Sequence, residues 1–388
     1  MIFTSRNRWF VLFVFMIAHG INDGFGWIIP PLLPTIREYF HLSYTEMGAF
    51  FTVYRIVGNI FQAPAAYLVH LMPISVILVT GLLMSSVGMF VASLSSSYKG
   101  LVWISAVGGI GRSTYHPLAV TMLSRLFGRD AFGRAMGLHL SGSSIGMVVA
   151  PFIVGILITQ YSWRVPLQLW SFLGILAGVT LFIFLKNLKS ELQPKEKPLN
   201  WPFFSGPLGA YLVAVTVWGI AQSGLMAFLP LFLVDHRHFN PVSAATAFGI
   251  MSFSGAVCRP FLGELMDRMG RRKPVIIGGF IISGITMLVL VTVEGQWFMY
   301  GSLILLGIFG SGHAGLADTF MIEMIPSQRR EETIGFIYTL RMSIASLSPV
   351  AVGFASEKFS LYHSFFILAF AGGLAAVLLL PVKERPAD

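Results

Sequence analysis

Long apolar segments alternate with short polar ones along the whole chain, and this alternation predicts the architecture. A helix needs about 20 predominantly apolar residues to cross a bilayer. Twelve segments approach or exceed that length, and they occupy approximately residues 9–34, 45–71, 73–94, 98–125, 131–160, 162–186, 208–234, 241–267, 273–293, 297–323, 331–356 and 360–382. The chain is therefore predicted to be an all-α integral membrane protein with twelve transmembrane helices.

A polar stretch with several prolines divides these segments into two sets of six. Charged and proline-containing stretches of this kind are typical of linkers between compact units. The pattern predicts an N-terminal six-helix bundle at residues 1–186, a cytoplasmic linker at 187–206 and a C-terminal six-helix bundle at 207–388.

The two predicted bundles share a faint repeat. Gly137 and Pro151 in the fifth segment recur 198 positions later as Gly335 and Pro349 in the eleventh. Such a six-plus-six duplication is typical of transporters that hold a substrate near the midplane between two pseudo-symmetric halves.

Composition and charge narrow the class further. With 55% hydrophobic and 11% charged residues, the chain is not an ordinary water-soluble globule. One cysteine, Cys258, excludes an intrachain disulfide framework and a cysteine-rich metal site. The net charge of +9 lies in short loops, with seventeen Lys and Arg residues on one side and five on the other. We therefore predict a multi-pass protein of the cytoplasmic (inner) cell membrane with both termini in the cytoplasm, and no nucleic-acid partner.

The loop between the eighth and ninth segments reads GELMDRMGRRK from Gly263 to Lys273. It resembles the Gly-x-Leu-x-Asp-Arg-x-Gly-Arg-Arg-Lys loop of the major facilitator superfamily, which implies the two-bundle fold of that family. The corresponding N-terminal loop lacks the acid and the arginines. In the family this loop latches the two bundles in one state, which implies a latch role for Gly263, Asp267, Arg268, Gly270, Arg271 and Arg272.

The first and fourth segments carry a narrower resemblance. The first contains His19-Gly20-Ile21-Asn22-Asp23, and the fourth contains Tyr115-His116-Pro117. These motifs look like those of the fosmidomycin-resistance branch of the superfamily, which implies an exporter.

The fifth segment bears on how export would be driven. Its small residues Gly142, Gly146 and Gly155, with Pro151, resemble the antiporter motif of the superfamily. The resemblance implies proton-coupled export by alternating access. Close helix packing explains the same pattern about equally well.

Polar side chains form stripes on several apolar helices. On the first helix, His19, Asn22 and Asp23 share one face. Polar groups at bilayer depth usually face a bundle interior or a water-filled cavity. The resemblance to the family implies a central cavity lined by the first, fourth, seventh and tenth helices. We predict substrate contacts at Arg112, Tyr115, His116, Asn22, Arg55, Trp218, Gln222, His313 and Arg341, and proton coupling at Asp23, His19 and Asp318.

Charge within the spans indicates the kind of substrate. The predicted spans contain the arginines Arg55, Arg112, Arg259 and Arg341 and the aspartates Asp23 and Asp318. Guanidinium groups suit carboxylates, phosphates and phosphonates, so the substrate is predicted to be a small anionic or zwitterionic compound or drug. An anion bound to a neighbouring arginine would release Asp23 to take up a proton.

Two alternatives stay open at the level of sequence. The chain could be a proton symporter that imports a small organic anion. It could also export amphipathic drugs, with the buried arginines paired to aspartates and purely structural.

Other classes of protein fit the sequence less well. It contains no His-Glu-x-x-His motif, no cysteine cluster and no nucleotide-binding glycine loop. We therefore expect no enzymatic activity, no cofactor and no metal. The expected partners are a small-molecule substrate, protons and the lipid bilayer, and the chain is expected to act as a monomer.

Overall fold

The computed structural model describes residues 5–127, 129–186, 204–326 and 329–384, and over these residues it contains helices and no strand. Most of the predicted linker at 187–206 lies outside the described residues. The first helices are α1 (Ser5–Phe40), α2 (Tyr44–Ile60), α3 (Gln62–Tyr67), α4 (Ile74–Ser93), α5 (Tyr98–Ser113), α6 (Tyr115–Leu126), α7 (Arg129–Leu157) and α8 (Arg164–Leu185). The others are α9 (Gly206–Arg237), α10 (Pro241–Met269), α11 (Lys273–Thr292), α12 (Gln296–Leu306), α13 (Ala314–Glu323), α14 (Arg330–Ala345), α15 (Ser348–Phe359) and α16 (Leu361–Leu379).

The helices account for the twelve predicted spans. Among the described residues, 10 helical stretches are long and apolar enough to cross a membrane. The second and fourth spans are helical too, but each is interrupted, as α2 with α3 and as α5 with α6. The all-α fold with twelve transmembrane helices is therefore confirmed.

Proline explains where three of the spans are interrupted. Proline has no backbone N–H, so the carbonyl four residues earlier loses its helical hydrogen bond. Accordingly, α2 ends at Ile60, four residues before Pro64, and α5 ends at Ser113, four before Pro117; α14 likewise ends four residues before Pro349. The tenth span is interrupted differently, by the π-helical turn Gly307–Gly312 between α12 and α13.

Contacts divide the chain into two units. The first comprises Met1–Phe40 and Val53–Pro198, and the second comprises His41–Thr52 and Leu199–Asp388. The start of α2 thus groups with the second unit, where the Tyr44 hydroxyl donates to Asp235 Oδ2 at 2.6 Å. The predicted N-terminal bundle at 1–186 included this segment.

In the first unit, α1 packs along α7 through glycines. A side chain at Gly146 would collide with the Gly20 carbonyl, and one at Gly142 would collide with the Met16 carbonyl. The two backbones can approach this closely only without a Cβ at these positions. Packing therefore accounts for two of the small residues that resemble the antiporter motif.

Replacing Gly146 by Ala is expected to destabilise the first unit. The added methyl would have to displace α1, and overpacking of this kind costs about 1–3 kcal/mol. For a unit of this size, the unfolding temperature should fall by roughly 2–4 °C per kcal/mol. Thermal unfolding in detergent would measure it. Gly137→Ala on the same helix is the matched control, because a Cβ there meets no atom within 4 Å; an equal fall in both variants would contradict the packing argument.

In the second unit, α16 packs against α9 and α11. The buried core of this unit includes Tyr211, Trp218, Phe280 and Phe320. These aromatic side chains surround the region where several predicted site residues of this half lie.

Candidate functional site

The carboxylate of Asp23 on α1 is the centre of a buried polar cluster in the first unit. Its Oδ1 lies 2.9 Å from Nε2 of His116 and 4.0 Å from Nη2 of Arg112. Its Oδ2 accepts a 2.5 Å hydrogen bond from the hydroxyl of Ser143 and lies 3.3 Å from Nε2 of His19. Side chains from α1, α5, α6 and α7 therefore meet at one carboxylate.

Asn22 completes the polar face of α1. Its side-chain amide donates to Asp23 Oδ1 at 3.3 Å, and the residue is fully buried. The structure thus brings together Asn22, Asp23 and His19, which the sequence placed on one stripe.

The geometry around His19 places one hydrogen on its ring. Nδ1 is 3.0 Å from the backbone carbonyl oxygen of His139. A carbonyl oxygen only accepts, so Nδ1 must carry a hydrogen. Nε2 then faces Asp23 with either a second hydrogen or a lone pair. Because a lone pair would repel an ionised carboxylate, the His19–Asp23 pair holds one further proton, on Nε2 or on the carboxyl group.

Aromatic rings pack against His19. The His139 ring stacks on it with centroids 4.2 Å apart, and the Tyr115 ring lies 5.5 Å away. Tyr115 is fully buried and donates its hydroxyl to the Phe15 carbonyl at 2.6 Å. The predicted contact of Tyr115 with substrate would therefore require α6 to rearrange.

Arg112 keeps hydrogen-bonding capacity beside this carboxylate. Its Nη2 reaches Asp23 only at 4.0 Å, and its Nε is buried without a hydrogen-bond partner. Arg55 on α2 is close enough for its charge to act against that of Arg112. The unpartnered donor of the Arg112 guanidinium suits the binding of an anionic group.

The same cluster has a spacing that could hold a metal ion. His19, Asp23 and His116 offer ligand atoms that all lie within 4.8 Å of one another. However, the Arg112 guanidinium approaches the same carboxylate oxygen as His116, and its positive charge opposes a divalent cation there. The charge of the cluster therefore disfavours a divalent metal ion there.

The predicted site residues of the C-terminal half lie within the second unit. Gln222 donates to the Ser283 hydroxyl at 3.0 Å. His313 is fully buried, with its ring 5.6 Å from that of Trp218 and 5.4 Å from that of Phe280. In this structure, contact of His313 with a substrate would require the adjacent π-helical turn to move.

Asp318 and Arg341 form an ion pair in the second unit. Arg341 Nη2 donates to Asp318 Oδ1 at 2.5 Å, and its guanidinium lies 5.2 Å from the centroid of the Tyr338 ring. The charge of Arg341 is thus balanced by a short contact, unlike that of Arg112. The proton role of Asp318 and the substrate role of Arg341 stay predictions.

The predicted latch loop is held by carboxylates of its own unit. Arg272 Nη1 lies 2.7 Å from Asp267 Oδ1, and its Nη2 lies 2.7 Å from Glu323 Oε1. Hydrogen bonds hold the pKa of the Arg272 guanidinium above its usual value. The bond to Glu323 has the larger effect, and the bond to Asp267 comes second. The backbone N–H of Arg272 also donates to Glu384. Arg272 therefore ties the loop to the end of α13 and to the segment after α16.

The remaining latch residues have simpler surroundings. Arg268 pairs with Glu264 at 2.8 Å, and both side chains are exposed. Gly270 ends α10 with φ +61°, a left-handed conformation that favours glycine. A side chain at Gly263 would meet no atom within 4 Å. A latch between the bundles stays a prediction.

Replacing Arg272 by Gln is expected to lower the unfolding temperature by about 2–4 °C, because two carboxylates lose their shared cation. Salt screens exposed charge pairs, so the deficit should shrink at high ionic strength. Thermal unfolding in detergent at low and high salt would measure both effects. Arg271→Gln is the comparison, since Arg271 is exposed in the same loop. A deficit that salt leaves unchanged would show that the role of Arg272 is not electrostatic.

The model of the Major Facilitator Superfamily matches residues 15–272 and 246–388. The chain belongs to this superfamily. The similarity to known transporters extends over nearly the whole of this chain. A hexuronate transporter of Bacillus subtilis (strain 168) is 22% identical over 405 residues, which cover 97% of this chain and 94% of that protein. The fosmidomycin resistance protein of Escherichia coli (strain K12) is 19% identical over 396 residues, which cover 99% and 95%.

Solved structures agree on the fold. A bacterial homologue of the human lysosomal transporter Spinster superposes with a TM-score of 0.84 at 15% identity, covering 99% of this chain and 100% of that one. Membership of the superfamily, rather than the shared fold, identifies the protein as a multi-pass membrane transporter of small organic substrates and not an enzyme.

An apolar cavity of about 450 Å³ lies in the first unit. It is lined by α1, α7 and α8, and apolar side chains such as Phe13 and Ile145 are exposed around it. Trp170, which also lines it, donates its indole N–H to the Ile21 carbonyl at 3.0 Å. This cavity can hold apolar groups but offers nothing to neutralise an anion.

Ser143 is a member of the Asp23 cluster that sequence reasoning missed. It lies next to Gly142 on α7, among small residues that were attributed to packing or to the antiporter motif. A hydroxyl on a helix usually bonds to its own backbone. The available signal was its position on the close-packed face of α7.

Proposed function

We propose that this superfamily member is a proton-coupled secondary transporter of a small anionic or zwitterionic organic compound. Asp23 and His19 carry the proton, and Arg112, assisted by Arg55, binds the anion. One observation carries the proposal: His116, His19 and Ser143 approach the Asp23 carboxylate within 3.3 Å, whereas Arg112 stays 4.0 Å away with its Nε unpartnered. The carboxylate is thus stabilised without consuming the guanidinium.

Proton and anion binding support each other in this arrangement. The ionised carboxylate of Asp23 attracts Arg112 and competes with a substrate anion for it. A proton on Asp23 removes this competition, and an anion on Arg112 in turn favours a proton on Asp23. Such coupling between two sites is reciprocal and typically amounts to 5- to 150-fold in affinity.

The direction of transport separates two candidate functions. Resemblance to the fosmidomycin-resistance branch supports proton-coupled export, in which the proton and the substrate move in opposite directions by alternating access. Mutual support between proton and anion favours symport, because antiport requires the two to exclude each other. The contacts of Gly142 and Gly146 with α1 also provide a packing reason for part of the antiporter-like motif.

The direction of proton movement across a vesicle membrane distinguishes symport from antiport. A hexuronate, fosmidomycin or an amphiphilic cationic dye would be added to vesicles carrying the protein, with no gradient imposed and the external pH recorded. Symport predicts alkalinisation of the medium on addition of an anion, and antiport predicts acidification. Vesicles without the protein are the control. A response to the dye alone would support amphipathic drug transport, and no response to any probe would contradict proton coupling.

A further inference from the structure

We propose that Ser143 on α7 is a positioning residue for the proton step, because its hydroxyl can satisfy both the ionised and the protonated form of Asp23. The inference rests on the proposed role of Asp23 as the proton carrier. It assigns to the fifth transmembrane helix a direct part in proton binding, beyond packing.

The contact is short and joins distant parts of the chain. The Ser143 hydroxyl donates to Asp23 Oδ2 at 2.5 Å across 120 positions of sequence. One turn earlier on α7, the backbone carbonyl of His139 accepts from Nδ1 of His19 at 3.0 Å. The same helix therefore fixes both partners of the His19–Asp23 pair.

Close packing holds Ser143 at this distance. Gly142 and Gly146 flank it on α7 and allow the backbone of α1 to approach closely. Because α1 carries Asp23 between these contacts and the end of the helix, Ser143 has little freedom to move away. The hydroxyl is thus positioned by the fold and does not depend on a flexible side chain.

A hydroxyl can reverse its role when the carboxyl group titrates. A serine hydroxyl has one hydrogen to donate and two lone pairs to accept with. With Asp23 ionised, Ser143 donates to Oδ2. When a proton from the aqueous phase binds Oδ2, that O–H donates to Ser143 Oγ, and the serine hydrogen turns to Sδ of Met147, which lies 3.9 Å away on the same helix. The proton therefore binds without leaving the Ser143 hydrogen unpartnered.

The charged and titratable groups of the cluster and its surroundings lie on α1, α2, α5, α6 and α7. They are His19 on α1, Tyr54 and Arg55 on α2, Arg112 on α5, Tyr115 and His116 on α6, and His139 on α7. All of them are unchanged when Ser143 is replaced. The effect of the replacement is therefore expected as a shift of the titration midpoint, with the titration itself retained.

Infrared difference spectroscopy of the purified protein tests the proposal without a substrate. The C=O stretch of a protonated carboxyl group reports Asp23 directly, and Asp23→Asn identifies the band by removing it. Ser143→Ala removes a donor that stabilises the ionised form more than the neutral one, so the midpoint pH of the band should rise by about one unit. Its frequency should also change, because the carboxyl O–H loses the Ser143 oxygen that accepts its hydrogen bond.

Three further variants complete the experiment. Ser143→Thr keeps the hydroxyl and should restore the midpoint. Ser143→Cys has a weak donor and should shift it in the same direction as Ala, which keeps the test available if Ser143→Ala does not fold. Ser141→Ala is the matched control, because the exposed Ser141 hydroxyl bonds only to the Gly137 carbonyl of its own helix at 2.9 Å in the described structure.

The outcomes separate the inference from the proposed function. A titrating band that disappears in Asp23→Asn but is unmoved by Ser143→Ala and Ser143→Cys would overturn the role of Ser143 and leave Asp23 as the proton carrier. A band that persists in Asp23→Asn would mean that Asp23 does not titrate, and both proposals would fail. A shift in Ser141→Ala equal to that in Ser143→Ala would also overturn the inference.

Discussion

Replacing Asp23 by Asn is expected to abolish accumulation of substrate driven by a pH gradient while leaving substrate exchange intact. Asn has nearly the same volume, and its one side-chain oxygen can still accept from either Ser143 or His116, so the cluster keeps its packing. It cannot bind or release the proton that the His19–Asp23 pair holds. In proteoliposomes, accumulation should fall by about 10-fold or more, the size of a typical coupling between two sites.

The control for this measurement is a variant that loses a carboxylate elsewhere on the same helix. Glu38→Gln serves, because Glu38 lies near the end of α1 with an exposed side chain. It should accumulate substrate as the native protein does. Exchange of labelled for unlabelled substrate shows that the Asp23→Asn protein is folded and able to change conformation. Gradient-driven accumulation at the native level in Asp23→Asn would place the proton site elsewhere.

The number and positions of the spans could be predicted from local features of the sequence. Apolar length predicted twelve spans because the bilayer imposes it on each helix separately. The interruptions before Pro64, Pro117 and Pro349 have a missing N–H as their local cause. Proline alone does not predict them, because Pro151, Pro230 and Pro260 lie inside unbroken helices. The π-helical turn Gly307–Gly312 was not predictable either, since no proline marks it and the choice between α and π hydrogen bonding depends on its packing against α10.

The candidate site was predictable only in part. His19, Asn22 and Asp23 share a helical face, and helical periodicity alone reveals that. The contact of Ser143 with Asp23 depends on how α7 crosses α1, which no spacing along one helix encodes. Pairing of Asp318 with Arg341 likewise depends on the approach of α13 to α14. Sequence therefore identified the costly buried charges but could not assign their partners.

Replacing Arg112 by Lys is expected to raise the KM for an anionic substrate by roughly 10- to 100-fold, the range for losing a hydrogen bond to a charged group. Lysine keeps the positive charge but lacks the planar fork that binds a carboxylate or phosphonate in two places. Because the charge near Asp23 persists, the number of protons moved per anion should not change. Uptake of a hexuronate into proteoliposomes, with proton flux recorded in parallel, measures both quantities.

Two comparisons make the result specific to the anion contact. Arg125→Lys changes an exposed arginine near the end of α6 and should leave the KM unaltered. Arg112→Gln removes charge and fork together, so it should raise the KM further and also weaken coupling, because an anion can no longer influence Asp23 through the guanidinium. An Arg112→Lys protein with native KM and native coupling would show that Arg112 only balances the charge of Asp23. The substrate anion would then have to be recognised by other groups, with Arg55 the first to examine.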